Sequence, residues 1–198
     1  ANQMAENVIG RFTLPFAICP DVLVDGVTYQ VPMVTEEPSV VAAASYANKL
    51  IKRSGGFTTT IHDRQMIGQV ALFDVPDKAT ASSKIHAAGQ ELIEIAKEAH
   101  PSIVKRGGGP RKLWTDTKGD FLIVYLAVDT KEAMGANMVN TMMEALVPEL
   151  ENLSQGQSLM AILSNLATES LVTATCRLST RFLSRNKEEA HDLAKKME

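Results

Sequence analysis

The sequence lacks several features that mark whole classes of protein. It contains only two cysteines in 198 residues, Cys19 and Cys176, and they show no CxxC or metal-ligand spacing. A disulfide scaffold and a structural zinc site are therefore not expected. No stretch approaches the roughly 20 apolar residues of a membrane helix, and the N-terminus lacks the regions of a signal peptide. These absences favour a cytoplasmic protein without a membrane partner.

A strong charge of one sign is also missing. The net charge is −3, which gives no reason to expect nucleic acid as a partner. The four histidines have no mutual spacing for a metal site, and no serine lies in a GxSxG setting. We therefore expect no metal and no nucleophilic serine. What remains is ordinary globular composition, 45% hydrophobic and 22% charged.

The N-terminal part reads as a hairpin followed by a helix. Apolar residues at 12–17 and 22–31 flank an Asp25-Gly26 turn, which is typical of a β-hairpin. A helix is predicted over 39–53, opened by Pro38. Its first half consists almost entirely of small residues, which predicts a buried helix with another backbone packed closely on it.

The middle of the chain has the order β-α-β-β-α-β of a ferredoxin-like sandwich. The predicted elements are strands at 66–75, 111–117, 121–128 and 158–165 and helices at 80–99 and 135–152. A further strand at 171–178 returns the chain to the first part. We therefore predict an α+β protein. A small ferredoxin-like domain, residues 63–167, is inserted into an incomplete α/β large domain formed by residues 1–62 and 168–198.

Three segments could carry chemistry, and each has a plain structural explanation as well. Glu36-Glu37 precede a helix N-terminus, where a carboxylate could act as a general acid or only complement the helix dipole. The cationic glycine run 105–111 is either a phosphate cradle or an ordinary connection. Small residues within 132–137 would let a ligand approach the backbone at a helix start, whereas the methionines that follow are typical of core filling.

Taken together, five motifs resemble those of class II 3-hydroxy-3-methylglutaryl-coenzyme A (HMG-CoA) reductases. They are ENVIG at 6–10, EEPS at 36–39, GGFTT at 55–59, EAMGAN at 132–137 and LSNL at 163–166. The match covers essentially the whole chain in order. The resemblance implies reduction of HMG-CoA to mevalonate and coenzyme A by two hydride transfers from NADPH or NADH. It also implies a homo-oligomer, a dimer or larger, with active sites at subunit interfaces.

The resemblance assigns roles to particular residues. Glu37 would be the catalytic proton donor, Ser39 would contact the HMG portion, and Glu6 and Asn7 would lie on the acyl-CoA side. The residues implied in cofactor binding are Glu132, Met134, Gly135, Ala136, Asn137, Asn165, His100 and Arg106.

Two departures from the family pattern concern the cofactor. Glu132 replaces the usual aspartate and lengthens the arm, and His100 stands where NAD-preferring members carry an aspartate. Loss of that carboxylate removes repulsion against a ribose 2′-phosphate, and the cations of 105–111 would attract it. We therefore expect NADPH to be preferred, with NADH possible.

The family's catalytic lysine, aspartate and histidine are expected beyond residue 198, so the chain alone would be inactive. His191 is predicted to lie on a solvated helix face and does not replace that histidine. Two other functions stay open at this point. One is a non-catalytic ferredoxin-like module that binds a nucleotide or has a regulatory role, with Glu37 merely capping a helix. The other is an acyl-CoA-binding or transferase domain. The motifs outside 63–167 argue against the first.

Overall fold

The computed structural model describes residues 4–197, which form two compact units. The first unit takes the chain up to residue 60 and again from residue 173, and the second runs from 61 to 172. The sequence pattern placed these divisions after 62 and after 167. Each unit contains one four-stranded sheet together with helices. The predicted α+β class is confirmed.

The bounds of the elements are as follows. The strands are β1 Phe16–Val24, β2 Val27–Val34, β3 Phe57–Ile61, β4 Met66–Phe73, β5 Gly109–Lys118, β6 Phe121–Asp129, β7 Gln157–Leu163 and β8 Val172–Cys176. The helices are α1 Val40–Arg53, α2 Lys78–Ala87, α3 Gly89–Ala99, α4 Pro101–Lys105, α5 Ala136–Ser154 and α6 Lys187–Met197, with a 3₁₀ turn at Thr180–Phe182. None of the helices within residues 4–197 is long and apolar enough to cross a membrane.

The first unit is built on the predicted hairpin. Its sheet has the order β2-β1-β3-β8, and β1 pairs with β2 in antiparallel fashion. Asp25 and Gly26 both have positive φ, 49° and 82°, as a two-residue turn that matches the strand twist requires. The hairpin prediction is confirmed, although the first strand begins at Phe16 and not at residue 12.

Helix α1 differs from its prediction at its start and in its burial. It begins at Val40 with Ser39 as the N-cap, so Pro38 precedes the helix and does not open it. Within the helix only Asn48 is buried, at 6% exposure, and its amide donates to the Pro20 carbonyl at 2.8 Å. The predicted buried helix is therefore wrong for this chain. Helix α1 packs mainly against β1, which leaves much of its small-residue half exposed.

The second unit has the predicted order of elements, with the first helix divided. Its sheet runs β5-β6-β4-β7, and every neighbouring pair is antiparallel. The single helix predicted at 80–99 is wrong, because Ala88 separates α2 from α3 directly before a glycine, a poor helix former. Pro101 starts α4 instead of ending a helix. Asp77 caps α2 by accepting the N–H groups of Ala79 and Thr80.

The core of the second unit lies between the sheet and the helices. Alternate residues of β4 and β6 point to this side and meet the apolar faces of α3 and α5. Each fully buried aliphatic side chain contributes roughly 1.5–3 kcal/mol. The fully buried larger members are Val70, Leu72, Ile85, Leu92, Ile103, Leu122, Val124, Leu126, Met142, Met143, Leu146 and Leu150.

Gly68 allows α5 to approach β4 closely. A Cβ at this position would lie 2.8 Å from Val139 Cγ1 and 2.5 Å from Met143 Sδ, distances too short for real contacts. We predict that Gly68→Ala lowers the free energy of unfolding of the second unit by about 1–3 kcal/mol through overpacking. The measurement is urea unfolding followed by the fluorescence of Trp114, the single tryptophan, which lies on β5.

Gly89→Ala is the matched control for this substitution. Gly89 begins α3, and nothing lies within 4 Å of a Cβ added there. Since alanine favours a helix over glycine, we expect unchanged or slightly increased stability. Equal effects of the two substitutions would show that α5 does not depend on the missing side chain of Gly68.

Candidate functional site

One edge of the sheet in the second unit collects most of the predicted site residues. The register places Met66 at the start of β4 opposite Val128, and Gly109 at the start of β5 opposite Asp129. Leu163 at the end of β7 lies opposite Gly68. The starts of β4 and β5 and the ends of β6 and β7 therefore share this edge, and the short connection from β6 brings the N-terminus of α5 to it.

The N-terminus of α5 has no side-chain cap. Gly135 occupies the N-cap position with φ 85°, and the first turn contains no acidic residue. A Cβ on Gly135 would lie 2.6 Å from Thr130 Cγ2 and 2.7 Å from Met66 Sδ, so only glycine fits. Uncapped N–H groups and the helix dipole favour a negatively charged group here.

Asp129 is the centre of the polar contacts at this edge. Its Oδ2 accepts from Arg111 Nη2 at 2.8 Å and lies 3.0 Å from Lys131 Nζ, while Oδ1 accepts from the Lys131 backbone N–H at 3.0 Å. Arg111 Nη2 also donates to the Gly107 carbonyl at 2.8 Å. The Arg111 guanidinium, followed by Lys131, holds the pKa of the Asp129 carboxyl far below its usual range. We did not identify Asp129 from sequence, because its partners are known only once β5 and β6 are paired.

Two of the predicted cofactor residues line one hollow, which we call the Arg106 hollow. Its volume is about 420 Å³, and Arg106 and Glu132 are both on its wall. The other lining residues are Ile103, Thr130, Lys131 and Ala133. Within residues 4–197 the Arg106 guanidinium makes no hydrogen bond or ion pair, whereas Lys131 is held by Asp129. Arg106 is therefore available to an anion in the hollow.

A second hollow lies on the other side of the connection between β6 and α5. Its volume is about 440 Å³, and Arg64, Met66 and Ser170 are on its wall together with Ile61, Asp63, Thr130, Lys131, Ala133 and Val172. Arg64 Nη1 donates to Glu132 Oε1 at 2.8 Å, although the Glu132 side chain is 90% exposed. This hydrogen bond lowers the pKa of the Glu132 carboxyl. Arg64 was missed from sequence because its partner is far away along the chain.

The remaining predicted cofactor residues lie near this edge or further away. Met134 and Asn137 are exposed on either side of Gly135. Asn140 Oδ1 accepts the Leu163 N–H at 2.8 Å, which ties the start of α5 to the end of β7, and Asn165 follows that end. His100 lies at the junction of α3 and α4, 3.1 Å from Ser102 Oγ, and does not line either hollow.

The residues predicted to meet the substrate belong to the first unit. Glu37 is exposed, and its backbone N–H donates to Thr35 Oγ1 at 3.1 Å. Ser39 has φ 71°, which is rare for a side-chain-bearing residue and is found more often where a ligand is held. Glu6 and Asn7 precede β1, and no hydrogen bond or ion pair in the described part of the chain joins them to Glu37 or Ser39. Within residues 4–197, Glu6 and Asn7 are therefore not linked to Glu37 and Ser39 by polar contacts.

Comparisons with known proteins show the family to which the chain belongs. The family model of hydroxymethylglutaryl-coenzyme A reductase matches residues 1–198. The chain belongs to this family. A curated relative, the 3-hydroxy-3-methylglutaryl-coenzyme A reductase of Archaeoglobus fulgidus, is 44% identical over 178 residues, which are 88% of this chain and 41% of that protein.

Solved structures of the HMG-CoA reductase family show the same fold. The reductase from Streptococcus pneumoniae is 62% identical to this chain, with a TM-score of 0.95. The matched region makes up 98% of this chain and 47% of the reductase chain. A structure of the class II enzyme from the same organism, bound to NADPH in open conformations, is 61% identical with a TM-score of 0.95 and covers 98% of this chain and 53% of that chain. The chain thus spans about half the length of these three reductases.

The Asp129 ion pairs should stabilise the second unit in a pH-dependent way. We predict that Asp129→Asn lowers the free energy of unfolding by about 2 kcal/mol at neutral pH. Because the folded-state pKa of Asp129 is depressed, its contribution is present above the unfolded pKa of about 4 and is lost as pH falls below that value. The difference between the two proteins, measured by urea unfolding with Trp114 fluorescence, should shrink below about pH 4.

Asp116→Asn is the matched control for this experiment. Asp116 pairs with Lys118 at 2.6 Å at the opposite end of β5, and both side chains are well exposed. An exposed pair of this kind contributes little to stability, so we expect almost no change. A stability difference for Asp129→Asn that stays constant down to low pH would contradict the electrostatic explanation.

Proposed function

We propose that the chain supplies the nicotinamide-binding part and one catalytic carboxylate of an HMG-CoA reductase. The reaction converts HMG-CoA and two NADPH, with two protons, into mevalonate, coenzyme A and two NADP⁺. The observation that supports this most is the Arg106 hollow beside the uncapped α5, in a chain whose family match runs from residue 1 to 198.

The edge of the second unit fits a dinucleotide. Its phosphates need a backbone that they can approach, and the missing Cβ of Gly135 together with the free N–H groups of the first turn of α5 provides one. Glu132 would accept from a ribose hydroxyl, and its hydrogen bond with Arg64 would limit the positions open to its carboxylate. When bound, the cofactor would supply the hydride, and these residues would bind and orient it.

Charge at the same edge favours NADPH over NADH. A ribose 2′-phosphate carries up to two negative charges, and Arg106 is the cation of the hollow that no carboxylate in the described part of the chain holds. His100 lies outside the hollow and carries no negative charge, so it adds no long-range repulsion of that phosphate as a carboxylate there would. NADPH is also the ligand named for the class II enzyme of Streptococcus pneumoniae. We therefore assign the adenosine end of the cofactor to the Arg106 hollow.

Glu37 is assigned as a proton donor in the first unit. Each hydride addition to a carbonyl carbon leaves negative charge on its oxygen, and a carboxylic acid within reach can neutralise that charge by giving up a proton. The hydrogen bond to Thr35 Oγ1 fixes the backbone of Glu37 one turn before α1. Ser39 would contact the HMG portion, and Glu6 and Asn7 would line the acyl-CoA side.

Self-association is part of the same proposal. The first unit exposes large apolar side chains on its sheet and on α1. Monomeric soluble proteins seldom expose large apolar patches. They include Phe16, Ile18, Tyr29, Val34 and Tyr46. A homo-oligomer of the kind implied by the resemblance would cover such side chains.

A chimeric enzyme tests the assignment of Glu37. Residues 4–197 would replace the matching segment of the Streptococcus pneumoniae reductase, with which the chain is 62% identical. We predict HMG-CoA-dependent oxidation of NADPH by the chimera, and a fall in kcat of about 10²- to 10⁴-fold for Glu37→Gln. The dissociation constant of NADPH should not change, because Glu37 is not in the cofactor-binding unit.

Glu36→Gln is the control for the chimera, since it removes the neighbouring exposed carboxylate. We expect it to keep most of the activity. Full activity of Glu37→Gln would refute the assigned role. A chimera that binds NADPH but not HMG-CoA would instead favour a non-catalytic nucleotide-binding module.

Cofactor selectivity tests the role of Arg106. We predict that Arg106→Gln raises the dissociation constant of NADPH about tenfold or more, through loss of a charge-assisted contact, and leaves that of NADH unchanged. His100→Asp should also lower the preference for NADPH. Titration by fluorescence measures both constants, with Lys105→Gln as the control for a neighbouring cation outside the hollow. An unchanged ratio in both variants would exclude this site for the 2′-phosphate.

A further inference from the structure

Two separate segments meet at Asp129. One is the glycine segment 107–109, which follows α4, and the other is the connection 130–135, which leads into α5. A Cβ on Gly108 would lie 2.6 Å from the Asp129 carbonyl oxygen, so the glycine segment packs directly on the backbone there. The Asp129 carboxylate contacts Lys131 of the connection directly, and it is linked to the glycine segment through Arg111, which donates to Gly107 as well.

These contacts form a bridge with Asp129 in the middle. On one side Arg111 Nη2 donates both to Asp129 Oδ2 and to the Gly107 carbonyl, each at 2.8 Å. On the other side Asp129 Oδ1 accepts the Lys131 N–H at 3.0 Å and fixes a residue whose φ is 52°. The Asp129 side chain is only 18% exposed, so the bridge is shielded from solvent on most sides.

The bridge joins the two walls of the Arg106 hollow. Arg106 directly precedes the glycine segment, and Lys131 and Glu132 directly follow Asp129 and Thr130. A shift of either segment would change the distance between the Arg106 guanidinium and the groups opposite it. The geometry of the hollow therefore depends on a residue that is not among those lining it.

We propose that Asp129 is a positioning residue for the cofactor phosphates, which holds the two walls of the Arg106 hollow at a fixed separation through Arg111 and Lys131. This inference rests on the proposed function, because it takes NADPH as the ligand. Asp129 touches neither cofactor nor substrate in this role. It acts through the segments that do.

The charge of Asp129 allows this role to be separated from a simple electrostatic one. Removing a negative charge beside an anion site should strengthen the binding of an anion by Coulomb's law alone. Loss of the bridge should weaken binding, because the walls are no longer ordered before the ligand arrives. The sign of the change in affinity for Asp129→Asn therefore distinguishes the two.

The experiment is a titration of the whole 198-residue chain with NADPH, well below the midpoint of thermal unfolding. We expect Asp129→Asn and Arg111→Met each to raise the dissociation constant about tenfold, and the double variant to be no weaker than the weaker single variant. Trp114 fluorescence confirms that each variant is folded. Asp116→Asn, which breaks the pair with Lys118 at the far end of β5, should bind NADPH as the unsubstituted chain does.

Each other outcome overturns a particular statement. Unchanged or tighter binding by Asp129→Asn, with normal binding by the unsubstituted chain, would refute the positioning role and leave the proposed function intact. Losses that add in the double variant would also refute it, because Asp129 and Arg111 would then act independently. Failure of the unsubstituted chain to bind NADPH would overturn the proposed cofactor site, and the positioning role with it.

Discussion

The close packing of α5 on β4 is the constraint on which the functional edge depends. Gly68 leaves no side chain between the helix and the strand, so Val139 and Met143 can lie directly against the sheet. Asn140 then reaches the N–H of Leu163 and aligns the first turns of the helix with the end of β7. With the helix held in this way, its N-terminus has to lie at the edge where β6 and β7 end. The anion site proposed at this edge would thus be a consequence of how the core is packed.

The electrostatic potential at this edge depends on which cations are already paired with carboxylates. Arg111 and Lys131 are both engaged by Asp129, and Arg64 is engaged by Glu132. The guanidinium of Arg106, which has no partner among the residues that the structure describes, is left on the wall of the hollow. Pairing of this kind limits the net positive charge, which keeps the edge from attracting anions without selectivity. The position of the Arg106 guanidinium relative to the N–H groups at the start of α5 would then select a ligand more than the total charge of the edge does.

Local features were predictable from the sequence, whereas features that depend on distant partners were not. The Asp25-Gly26 turn, the strands of the second unit and the helix after Gly135 follow from local conformational preferences and the pattern of apolar residues. The grouping of Arg106 with Glu132 was implied by the family resemblance and agrees with the hollow. The bridge at Asp129 and the pair of Arg64 with Glu132 join residues far apart in sequence, so no local pattern marks them. The break at Ala88 was missed because apolar periodicity continues across it.

The contrast between this edge and a Rossmann site shows what phosphate recognition requires. The sequence has no GxGxxG turn between a parallel strand and a helix, and the sheet here is antiparallel. Among residues 4–197 the elements that matter physically are nevertheless present: a helix start without a side-chain cap, a glycine where a Cβ would collide, and a cation without a partner. Because the phosphate interacts with N–H groups and charge, it is indifferent to the direction of the strand that leads into the helix. In the proposed function, the same chemical requirement would therefore be met at the end of an antiparallel strand, with the connection into the helix held by the hydrogen bond from the Lys131 N–H to Asp129.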